Sequence, residues 1–135
     1  MLLTHETDYA LMCVIHLARY GHASTAEIAR RLGLSASFLS NIVGALTRSG
    51  ITVTRRGSAG GVSLSRPASS ISVLDVVEAV QGRLAVNACM ARPPQCDLWQ
   101  DCELRHLFAG VQETLRSQLE VRMGDLCEGI QTTIR

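Results

Sequence analysis

Apolar residues in the first twenty positions lie on nearly every side of a helical wheel, running unbroken from Tyr9 to Ile15 and continuing with Leu17 and Ala18. A helix with no polar face is a buried one, so this segment predicts a central helix with Thr7 at its N-cap and Gly21 past its end. Ser24 and Thr25 then open a short helix, TAEIARRLG, which Gly33 stops. Ser35 caps a third helix within ASFLSNIVGALTRSG. Its apolar face is Phe38, Leu39, Ile42, Val43 and Leu46, spaced by one, three and four, and Gly50 ends it. Two short helices joined by a tight turn at a glycine predict a helix-turn-helix.

The repeat then changes from helical to twofold. ITVT and VSLS alternate apolar and polar residues, and RRGSAGG lies between them. This predicts a β-hairpin with a glycine-rich tip and two arginines at its base, in other words a wing. Pro67 to Ser70 reads as a linker and ISVLDVVEAVQG as a fourth helix ending at Gly82; residues 83–102 follow no period. From Glu103 to about Met123, Leu104, Phe108, Val111, Leu115 and Leu119 recur at steps of three and four. Such a stripe has two readings, a core helix of its own chain or a dimerisation helix packed on its symmetry mate, and the second is what helix-turn-helix proteins need for reading two half-sites. The expected fold is mainly α with a small β-hairpin wing. Residues 1–82 would form a winged helix-turn-helix DNA-binding domain, 83–102 a cysteine-bearing loop, and 103–135 a dimerisation helix and tail.

Charge sharpens this division. The net charge is only +1, but residues 1–66 carry seven arginines against three acids, and residues 67–135 six against nine. The balances of +4 and −3 predict a polyanion-facing first half. There is no lysine, and the arginine fork suits phosphates and guanine edges. On the third helix, Ser35, Ser37, Ser40 and Asn41 fall opposite the apolar stripe and are candidate DNA contacts. Arg55 and Arg56, at the hairpin's base, are candidates for the minor groove, whose negative potential favours arginine. No nucleophile–base pair or phosphate-cradling loop is visible, and Gly57, Gly60 and Gly61 lie on a hairpin rather than before a helix, so an enzyme is not expected.

Cysteines supply the remaining chemistry. Cys89, Cys96 and Cys102 share one short stretch, CMARPPQCDLWQDC, whereas Cys13 and Cys127 lie in apolar helical patterns. No apolar run spans a bilayer, and MLLTHETDYA has acids where a signal peptide is basic, so a cytoplasmic location is expected, with thiols kept reduced. Three thiolates suit an iron–sulfur cluster or zinc, and a thiol–disulfide switch is the non-metal reading. A fourth ligand would come from His106, one helical turn after Cys102, or from Asp8 at the start of the first helix. A carrier or electron-transfer protein is the rival from another class, but a winged helix would serve it no purpose.

The succession LTHETDYALMCVIHLA, SASFLSNIVGALTRSG, VTRRGSAGGVSLSRP, ISVLDVVEAVQG and a three-cysteine loop before a long helix resembles the Rrf-type winged-helix transcription regulators over essentially the whole chain. The resemblance implies a homodimer on a palindromic operator, with Arg56 reading the minor groove. It also implies a two-iron or four-iron cluster on Cys89, Cys96 and Cys102. TDYAL near the start and VNAC at the loop are most similar to the nitric-oxide-sensing branch, in which the aspartate matching Asp8 is the fourth ligand, given by the partner subunit. The histidine-using branch has its ligand three residues after the third cysteine, whereas His106 is four after.

Overall fold

A computed structural model describes residues 2–133, with side chains as far as Glu128. The elements run α1 (His5–Tyr20), β1 (His22–Ala23), α2 (Thr25–Leu32), α3 (Ala36–Arg48), β2 (Thr52–Arg55), β3 (Gly61–Leu64), α4 (Val73–Gln81), α5 (Leu104–Leu119) and α6 (Met123–Thr133). Residues 134 and 135 of the expected tail lie outside the described residues.

Helix α1 is central, as its pattern demands: Ala10, Cys13, Val14 and Leu17 are buried, and α1 packs on α4, α3, α2 and α6. Its N-cap is Thr4, whose side chain accepts the Thr7 N–H, and not Thr7. Thr7 is instead buried inside the helix and donates to Gln81 Oε1 of α4 at 2.8 Å. The hydroxyl that looked like a local cap is a long-range tie. Helix α2 begins with a reciprocal capping box, in which Ser24 accepts the Glu27 N–H and the Glu27 carboxylate accepts the Ser24 N–H.

The expected hairpin forms, with Thr52 opposite Leu64 and Arg55 opposite Gly61. It is not alone, however: β1 pairs antiparallel with β3, giving a three-stranded sheet of order β1-β3-β2. Two residues after a helix carry no readable alternation, so β1 was invisible in the sequence. The expected linker contains a tight 3-10 turn at Ala68–Ser70.

The largest departure is at the C-terminal end. The expected single helix stops at Leu119 and a second begins at Met123. Nothing in the intervening residues breaks a helix; tertiary pairing does. The Val73 N–H donates to Val121 O and the Met123 N–H to Ile71 O, an antiparallel bridge between Ser72 and Arg122. Met123 is completely buried, worth on the order of 2 kcal/mol, and α6 returns to pack on α1.

Candidate nucleic-acid interface and cysteine loop

The turn between α2 and α3 is set by Gly33, which adopts the left-handed conformation (φ 68°) and donates to Ala29 and Arg30 carbonyls. Helix α3 then leans its buried residues, Leu39, Ile42, Val43 and Leu46, on the core. Its opposite face is open: Ser35, Ser37, Ser40 and Asn41 are all exposed. Ser35 is partly committed, because its oxygen accepts the Phe38 N–H at 3.1 Å as the helix cap. Asn41 borders a recess of about 170 Å³ shared with Glu6 and Arg48. From the sequence Arg48 reads as either a phosphate contact or a solvated residue, and it is exposed at the helix end; Glu6 is not among the residues the sequence offers there.

The wing separates its arginines by role. Arg66 donates to Gly50 O and pairs with Asp75 at 3.6 Å, joining the hairpin base to the start of α4. Ser65 reinforces that base with bonds to the carbonyls of Gly50 and Ile51. Arg55 and Arg56 are exposed, and no ion pair among the described residues involves either. Their placement depends on Gly60, whose N–H closes the tip onto Gly57 O at 2.9 Å. A Cβ on Gly60 would meet Arg55 O, and would lie 2.8 Å from both the Arg56 carbonyl carbon and Gly57 O. The tip therefore requires glycine there.

The cysteine loop begins from a fixed stem. Buried Gln112 on α5 accepts the Val86 N–H at 2.9 Å and donates to Leu84 O at 3.0 Å. Glu78 of α4 accepts the Leu84 N–H and pairs with Arg116 of α5. Beyond the stem, Gln95 N–H donates to Ala88 O, Trp99 N–H to Cys96 O and Arg105 N–H to Cys102 O. The Arg105 guanidinium lies 4.8 Å above the Trp99 ring.

Cys89, Cys96 and Cys102 are free thiols, each half-buried. Cys89 faces a recess of about 580 Å³ together with Arg83, Trp99 and Arg105, which neither Cys96 nor Cys102 lines. Asp8 is exposed in the first turn of α1, and His106 is exposed near the start of α5. Among the described residues, no three histidine, cysteine or acidic side chains gather in a metal-ligating group. The donor chemistry is that of a soft-metal site, but the single chain does not assemble it. The other thiols differ in kind. Burial pushes the Cys13 thiol up to about 12, and burial also raises that of Cys127.

Helix α5 divides the apolar stripe that the sequence offered as one. Leu115 and Leu119 pack on the core, whereas Leu104, Leu107 and Val111 are 54%, 60% and 48% exposed. Leu107 had not been counted on that face. No helix among the described residues is long and apolar enough to cross a membrane.

A helix-turn-helix followed by a wing, with exposed arginines and polar residues on its reading face, defines a winged-helix regulator. Residues 3–129 match the Rrf2 family, described as "Iron-dependent Transcriptional regulator", and the chain belongs to that family. It is 38% identical over 127 residues to "Protein aau3" of Rhizobium meliloti (strain 1021), covering 92% of this chain and 80% of that one. Two solved structures share the fold. CymR (YrzC), the global cysteine regulator of B. subtilis, superposes with a TM-score of 0.77 at 23% identity, covering 93% of this chain and 95% of that one. IscR of T. potens superposes with a TM-score of 0.78 at 20% identity, covering 98% and 90%. Rrf2 proteins are DNA-binding transcriptional regulators, not enzymes, and so is this one.

Proposed function

We propose that the protein is a cytoplasmic, homodimeric, sequence-specific repressor or activator that senses nitric oxide, iron or redox state through the 83–102 loop. The observation that carries this reading is one of connection. Three free, half-buried thiols sit on a loop whose stem is bonded to α4, and α4 packs on the recognition helix α3. In this division residues 1–82 read a palindromic operator, with Ser35, Ser37, Ser40, Asn41, Arg55 and Arg56 against DNA. The exposed Leu104, Leu107 and Val111 of α5 meet their symmetry mates, and residues 103–135 supply the dimer helix and tail.

An iron–sulfur cluster of two or four irons would be held by Cys89, Cys96 and Cys102, with Asp8 of the partner subunit as fourth ligand. Bound there, the group would supply a centre that reacts with nitric oxide or oxidants. Asp8 is supported by its exposure in the first turn of α1, where it is open to a partner subunit. What this chain's residues do is clearer. Gln112 and Glu78 make the stem rigid, so that a change in the loop is carried to α4 and α5.

Anaerobic purification with iron and sulfide analysis tests the cluster: stoichiometric iron and sulfide, lost in Cys96→Ala with altered operator affinity, supports it. A colourless protein holding stoichiometric zinc overturns it in favour of a zinc-stabilised repressor, and neither metal favours a thiol switch. Sedimentation of Leu107→Glu tests the dimer, which should dissociate while the fold persists, because Leu107 is exposed within one chain.

A further inference from the structure

Away from the DNA face and the cysteine loop, two adjoining cavities lie where α1, β1 and α2 meet. The larger, about 470 Å³, is bounded by His16, Tyr20, His22, Glu27, Arg30 and Arg31. The smaller, about 230 Å³, is bounded by Met12, Ile15 and Leu32, with Arg19 at its edge. His16, Tyr20 and Arg31 form the wall common to both.

That wall is organised without a ligand. The Arg31 guanidinium lies 5.2 Å over the Tyr20 ring and donates to the Tyr20 hydroxyl at 3.3 Å. The His16 ring is tilted 47° to that of Tyr20, with the two centroids 4.7 Å apart. An arginine held in this way loses less conformational freedom on binding an anion. The charge is also one-sided. Among the described residues Glu27 is the one acid lining either cavity, and its carboxylate is committed to the Ser24 cap, against Arg19, Arg30 and Arg31. Burial and the neighbouring Arg31 lower the His16 pKa, so at neutral pH the shared wall presents a neutral imidazole between the two compartments.

We infer that this double cavity is a binding site for a small organic carboxylate with an apolar body, its carboxylate on Arg30 and Arg31 and its body over Met12, Ile15 and Leu32. A cationic compartment beside an apolar one selects for an amphipathic anion over either a bare ion or a neutral apolar molecule. The site shares no residue with the cysteine loop or with the proposed DNA contacts Ser35, Ser37, Ser40, Asn41, Arg55 and Arg56. Its occupant would bridge α1 to α2, the first helix of the helix-turn-helix.

Titration calorimetry on the full chain, with hexanoate, phenylacetate, hexanol and inorganic phosphate as probes, tests this. Saturable one-to-one binding of hexanoate or phenylacetate, with hexanol and phosphate at least tenfold weaker, is expected. Arg31→Ala should weaken it about tenfold or more, the scale of a lost charge-assisted contact. Met12→Asp adds a carboxylate to the apolar compartment at a position 48% exposed, so it should abolish binding while leaving the circular dichroism unchanged. The inference is overturned if neither carboxylate saturates, if phosphate binds as tightly as they do, or if folded Met12→Asp binds them like the parent chain.

Discussion

Gln112→Leu isolates the contribution of the loop stem. Leucine preserves most of the buried volume but removes both amide bonds, to Val86 N–H and Leu84 O. Gln112 is 7% exposed and its bond to Leu84 is buried, so water cannot readily replace the missing partner. Each lost bond is worth about 1 kcal/mol, and an orphaned buried backbone group costs about 1–3 kcal/mol. With the Leu84 carbonyl orphaned and the Val86 amide partly rehydrated, the destabilisation should be about 2–4 kcal/mol. At roughly 3 °C per kcal/mol for a chain of this size, the melting temperature should fall by about 6–12 °C. Urea unfolding measures the first figure and calorimetry the second. Hydrogen exchange adds a local readout, since the Val86 amide should lose its protection while those of α3 retain theirs. A variant as stable as the parent, with Val86 still protected, would refute the idea that Gln112 anchors the loop.

Three further outcomes follow from the geometry. Arg56→Ala should weaken operator binding and reduce the salt dependence by about one counterion, and a gel shift across a salt series with an unchanged slope would remove Arg56 from the interface. In the native, metal-free protein a thiol reagent should modify Cys89, Cys96 and Cys102 quickly and Cys13 only after unfolding, because Cys13 is buried with its thiol pushed up to about 12. Mass mapping that found Cys13 labelled first would contradict the packing of α1. His16 has a folded pKa below its ordinary value of 6.5, so the unfolded chain binds more protons beneath that pH. Stability therefore falls as pH drops below about 6.5, and His16→Gln should flatten this part of the profile. Parallel profiles for the two proteins would exclude a role for His16.

The reading half was legible because its signals are local. Ser24 and Ser35 cap the helices their positions suggest, Gly33 makes the turn, and period-two alternation marks the wing. The errors all involve partners far away in sequence. Thr4 and Thr7 are both plausible caps, and only Gln81, far along the chain, decides which one is buried. The α5–α6 break has no proline or glycine to announce it, because its cause is residues 71–73. The cysteine triplet was legible as chemistry but not as geometry. Spacing alone could not reveal that Cys89 turns into a recess that Cys96 and Cys102 do not line. The two-part cavity was harder still, since its lining comes from three elements with no shared motif.

The return of α6 onto α1 leaves the cysteine loop held at both ends by one body. Helix α5 is fastened at its middle by Gln112 and Arg116, and the turn that follows it by buried Met123 at the start of α6. The segment between α4 and α5 is thus suspended between two anchored points of one body, like a cartridge in a fixed holder. Its length, cysteine spacing and chemistry can differ while the bonds through Gln112 and Glu78 still pass a change in the loop to α4 and α5. A single scaffold can in this way be retuned to a different signal while its reading head stays the same.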